Sequence, residues 1–120
     1  MPMPRPDAPS KQFFTSILPQ DPRVQVRPMF GNLAGFVNGN MFAGLYGAEV
    51  FLRLPAADRA ELLREKGAVP FEPMQGHAMA EYVVPPDSWR DDPNRARGWV
   101  SRSLQWVGAM PAKKTKSRKG

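Results

Sequence analysis

The sequence contains no cysteine. That excludes disulfides, thiolate zinc sites and cysteine nucleophiles, and it fits a reducing compartment, the cytoplasm being the expectation. No run of 18 apolar residues occurs, so no segment reads as a membrane-spanning helix. The opening MPMPRPDAPSKQ lacks the apolar stretch of a secretory signal. Histidine occurs once, at His77. A nucleophile–histidine pair needs a serine or threonine beside it and an orienting acid, and no such signature surrounds His77. A metal site needs further histidines or clustered carboxylates, which the sequence does not assemble. No cofactor and no metal are therefore expected, and His77 reads as structural or solvent-facing.

What is present is a chain of 120 residues, enough for one modest core, with 42% hydrophobic residues, close to ordinary globular proteins. The net charge of +6 is unevenly placed. Lys113, Lys114, Lys116, Arg118 and Lys119 carry five of those charges, and six minus five leaves +1 for everything before them. The expectation is a nearly neutral domain at 10–111, a flexible proline-rich leader at 1–9 and a disordered basic tail at 112–120.

SKQFFTSIL places Phe13, Phe14, Ile17 and Leu18 on one helical face, with Ser10 as the N-cap and Pro19 and Pro22 as stops. VQVRPMF alternates, with Val24, Val26 and Phe30 on one side, and Pro28 marks an edge or a bulge. Apolar runs flank Asn38 and Gly39, a strong hairpin signal because both residues tolerate positive φ. Gly47 and Ala48 form a second tight turn, and Val50, Leu52 and Leu54 share a face beyond it. The glycines from Gly31 to Gly47 match no phosphate-binding pattern. Gly39 and Gly47 read as turn residues, Gly35 and Gly44 as sites of bulging or close approach.

From Pro55 to Gly67 the pattern predicts a helix with an apolar stripe of Ala56, Ala60 and Leu63. AVPFEPMQG reads as a connection, and HAMAEYVVP as a fifth strand with Ala78, Ala80, Tyr82 and Val84 on one face. The last helix follows Asp91, Asp92 and Pro93, with the acids read as N-capping. Trp99, Ser103, Trp106 and Met110, flanked by Val100, Leu104 and Val107, give it a wide apolar face. Trp89 stands outside that stripe, at a sheet edge or exposed. Met29, Met41, Met74 and Met79 read as core filling. Arg90, Arg95, Arg97 and Arg102 read as a solvated face, the sharper alternative being an extension of the tail's positive surface. The order predicts an α+β fold: a five-stranded antiparallel sheet, four strands in a meander plus one, with helices mainly on one face.

RPMFGNLAGFVNGNMFAGLYGAEVFLRL, PFEPM, MAEYVVPP and a helix with Trp99 before a lysine-rich end together resemble the TfoX N-terminal domain family (Sxy-like). Its Met-Phe-Gly motif is matched by Met29, Phe30 and Gly31, its hairpin turn by Gly39, and its Pro-Phe element by Pro70 and Phe71. Asn32 stands where many relatives have another glycine. The resemblance implies a five-stranded α/β domain and regulation rather than catalysis, since longer relatives regulate natural competence in bacteria. Those relatives carry a second domain for which 120 residues leave no room, so the expectation is a stand-alone domain.

Three functional readings stand. The first is a non-enzymatic regulatory or adaptor domain working through protein contacts, with a homodimer among its options. The second is weak, non-specific nucleic-acid association through Lys113, Lys114, Lys116, Arg118 and Lys119. The third is a small enzyme or ligand-binding domain using a carboxylate, Glu72 or Glu81, with His77.

Overall fold

The computed structural model describes residues 5–29, 31–74 and 76–112. The elements run α1 (Ala8–Ile17), β1 (Gln25–Met29), β2 (Asn32–Val37), β3 (Asn40–Tyr46), β4 (Glu49–Arg53), α2 (Ala56–Leu63), β5 (Val69–Pro70), β6 (Tyr82–Val84), a short 3₁₀ turn at Asp87–Asp91, and α3 (Pro93–Gly108). The strands form one antiparallel sheet in the order β1-β2-β3-β4-β6-β5. The α+β class and the four-strand meander are thus present, but among the described residues the strands number six rather than five. The additional one is β5, inside the segment expected to be a connection. Two residues are too few to display alternation, and Pro70 is tolerated because β5 lies at the sheet edge.

The Asn38–Gly39 turn sits between β2 and β3, with φ of 52° and 77°. Beyond it the register shifts between Gly35 and Phe36, so Phe42 is the extra residue of a bulge in β3. The bulge turns both Phe42 and Ala43 into the main core. The Phe42 carbonyl accepts a 2.6 Å hydrogen bond from Oγ of the fully buried Ser103 on α3.

All three helices contribute to that main core. Phe14 and Ile17 from α1, Leu62 from α2, and Val100, Leu104 and Val107 from α3 pack with Val37, Leu45, Val50 and Leu52 of the sheet. Phe51, between Val50 and Leu52, faces the other way. It joins Phe71 and Val84 in a smaller cluster with Met41, Tyr46, Met79 and Tyr82 packed around it. This second face is called the outer face below.

Several local expectations are corrected. α1 starts at Ala8, and its N-cap is Asp7, whose carboxylate accepts from the Ser10 N–H at 2.9 Å. Ser10 is buried instead, and its hydroxyl accepts from Arg90 at 2.8 Å. α2 ends at Leu63, short of Gly67, and buries Leu62 while Leu63 is 39% exposed. Adjacent leucines on a short helix do not reveal which one faces inward. Ala56 and Ala60 are exposed. The fifth expected strand shrinks to Tyr82–Val84. Trp89 is buried and stacks on Trp99 with centroids 6.1 Å apart. Met74 is 66% exposed rather than core. α3 forms as expected, with Asp92 capping through the Arg95 N–H.

Candidate interaction surfaces

The family-motif residues do not converge on one point. Met29 is half-buried on β1, and Gly31 makes the β1–β2 turn with φ 82°. Gly39 makes the hairpin turn at the far end of β2. Pro70 is exposed on β5, at the opposite edge of the sheet. Phe71 is buried and stacks face to face on Phe51, with centroids 4.1 Å apart. Phe30 and the basic residues Lys113, Lys114, Lys116, Arg118 and Lys119 lie outside the described residues, as do residues 1–4 of the leader. Asn32 is buried and accepts a 2.7 Å bond from the Gly47 N–H. A glycine there would not tie the β1–β2 turn to the β3–β4 turn in this way.

Two surface grooves among the described residues lie on the sheet, lined by no residue of α1, α2 or α3. The first lies on the outer face. A groove there is lined by Met29, Phe36, Met41, Arg53, Glu81 and Tyr82, with Gly39 and Asn40 at its rim. Arg27 sits over the Phe36 ring, 5.1 Å from its centroid. Arg53 lies 5.9 Å from the Tyr82 centroid and pairs with Glu81 at 2.8 Å. Burial raises the Tyr82 phenol above its usual value, with Arg53 opposing the shift. Glu81 has φ of 75°, a left-handed conformation that glutamate rarely adopts. Its carbonyl accepts from the Leu54 N–H and its carboxylate holds Arg53, so contacts on both sides retain the strained residue. No sequence signal marks this, because glutamate is not a turn residue.

His77 is exposed and does not line the groove that holds Glu81; Glu72 is exposed as well. Among the described residues, no group of three or more histidine, aspartate or glutamate side chains is placed to hold a metal ion.

The second surface lies at the β5 edge. Leu63, Val69 and Met74 are 39%, 46% and 66% exposed, and all fall within one stretch of twelve residues that contains β5. Beside β5 a shallow groove runs along Gly67, Val69, Pro85 and Pro86.

The arginines near the last helix are engaged within the fold. Arg95 pairs with Glu65, and Arg102 with Glu61 at 3.3 Å and Asp58 at 3.6 Å. Arg102 also covers Trp99, 4.2 Å from its centroid. Arg90 donates to Ser10 and the Ala48 carbonyl, and Arg97 to the Ser16 carbonyl. Their role in lacing α3 to α1, α2 and the β3–β4 turn leaves them poorly placed to extend a positive surface. Among the described residues no helix is long and apolar enough to cross a membrane.

A search of curated proteins and a search of solved structures each return no match. The sequence model of the TfoX N-terminal domain, however, matches residues 16–106, from the end of α1 to the last turns of α3. The chain therefore belongs to the TfoX N-terminal domain family.

Proposed function

We propose that this protein is a non-enzymatic regulatory or adaptor domain of the cytoplasm that works through protein contacts at its β5 edge. The observation that carries the reading is the run of exposed apolar side chains Leu63, Val69 and Met74 around a two-residue edge strand. Exposed apolar patches mark interaction sites, and these three side chains lie within twelve residues of one another along the chain. Both sheet edges carry a proline, Pro28 in β1 and Pro70 in β5, which removes a backbone donor and blunts strand addition, so the contact proposed is through apolar side chains rather than an added strand. The rival enzyme reading is weakened because Glu81 is held by Arg53 and His77 lies apart from their groove.

Affinity purification of the native chain alongside Val69→Glu tests the proposal. A protein that co-purifies with the native chain and is lost from Val69→Glu supports it. Concentration-dependent light scattering, abolished by the same substitution, would identify the partner as a second copy. Co-purification of a metabolite with no substitution-sensitive protein overturns it.

A further inference from the structure

We propose that the outer face of the sheet binds single-stranded nucleic acid, with Phe36, Tyr82 and Arg27 stacking on unpaired bases and the cations after Pro111 contacting phosphates. This inference concerns a different groove and a different partner from the β5 reading, and either can fail alone.

The geometry is a platform. Phe36 on β2 lies directly opposite Met41 on β3, and the Tyr82 hydroxyl donates to the Met41 carbonyl at 3.3 Å. Tyr82 on β6 lies opposite Arg53 on β4. Phe36 and Tyr82 are thus three strand spacings apart, about 14 Å. That span holds a short run of bases at about 3.4 Å per stacked step. Both rings are half-buried, with the Arg27 guanidinium over Phe36 and the Arg53 guanidinium beside Tyr82, so each ring is paired with a cation that a base can share. Aromatic rings on a sheet, and guanidinium planes beside them, stack on unpaired bases whose π-faces a duplex hides.

Charge favours the same occupant. Arg27 is exposed, donates to Gln25 at 2.6 Å, and forms no ion pair among the described residues. Arg5 lies beside Gly31, at the end of the same strand pair. Glu81 is the one carboxylate lining the groove, and Arg53 neutralises it. The chain also leaves the fold at this rim. Asn40, which lines the groove, donates to the Pro111 carbonyl at 3.1 Å, and Asn38 donates to the Gly108 carbonyl at 3.1 Å. Lys113 follows two residues later, and the five cations are spread over the next seven positions. Eight residues reach at most about 26–29 Å, comparable to the width of the sheet.

Fluorescence anisotropy with a labelled thymidine oligomer and a duplex of equal length tests this on the full chain. The expected single-strand affinity is on the order of 10⁻⁴–10⁻⁶ M at physiological salt, falling as salt rises, with weaker duplex binding. Phe36→Leu keeps an apolar side chain and removes the ring; it should weaken single-strand binding about five- to 150-fold. Arg27→Ala, an exposed position, should weaken it without affecting thermal unfolding. Deleting residues 113–120 should flatten the salt dependence by up to about 3.5 in log–log slope and leave the residual binding sensitive to Phe36→Leu. The proposal is overturned by equal binding of duplex and single strand, by no binding at low salt, or by binding that depends on the tail while ignoring both Phe36→Leu and Arg27→Ala.

Discussion

Gly44 and Phe51 face each other directly across β3 and β4, and the Phe51 ring occupies the space where a side chain on residue 44 would start. A Cβ on Gly44 would lie 2.1 Å from Phe51 Cζ. The glycine is what lets the ring lie flat on the sheet and stack against Phe71.

Gly44→Ala should therefore expel the ring and destabilise the fold by about 1–3 kcal/mol, the usual cost of overpacking. Gly98→Ala is the contrast. Gly98 lies within α3, and a Cβ there meets nothing within 4 Å, so it should stabilise by about 0.5–1 kcal/mol. Urea unfolding of both variants measures the difference in sign.

Phe71→Ala removes the partner of that stack from a site only 3% exposed. The expected loss is about 3–5 kcal/mol, as for other buried aromatics. A loss under 1 kcal/mol in denaturant titration would mean that the outer-face cluster contributes little to folding.

The hairpin was legible in the sequence because Asn38 and Gly39 are chemically suited to positive φ and flanked by alternating runs. The core face of α3 was legible because sixteen residues show helical periodicity several times over. β5 was not, since two residues have no period. Leu62 was not distinguishable from Leu63, because only the packing of α2 decides between neighbours. The outer-face groove was invisible for a related reason: it joins residues from several strands, and the contacts of Glu81 with Arg53 and Leu54 exist only once the sheet has formed. Gly44 was read as a site of close approach, but only the register names Phe51 as what approaches.

Ser103 holds the carbonyl of the bulged Phe42. Ser103→Ala leaves that carbonyl buried without this donor and should cost about 1–3 kcal/mol. Ser103→Thr, which retains a hydroxyl, should cost less if the added methyl fits. Thermal unfolding of the pair separates the lost hydrogen bond from the change in volume.

Asp7 caps α1, and its hydrogen bonds from Ser10 hold the carboxyl below its usual value. A carboxyl depressed in the folded state adds stability above its unfolded value and loses it as pH falls through the folded one. Asp7→Asn keeps the capping acceptor but cannot titrate. It should match the native chain near neutrality and lose less stability below about pH 4, where carboxylates protonate. An unchanged acid limb in pH-dependent unfolding would show that Asp7 does not contribute to it.

The most direct test of the protein-contact account is a photo-crosslinking residue placed at Val69 in the living cell, with the same residue at exposed Ser101 on α3 as control. The account predicts a discrete protein adduct from position 69 and none from position 101. No protein adduct at position 69, or the same adduct from both positions, would contradict it.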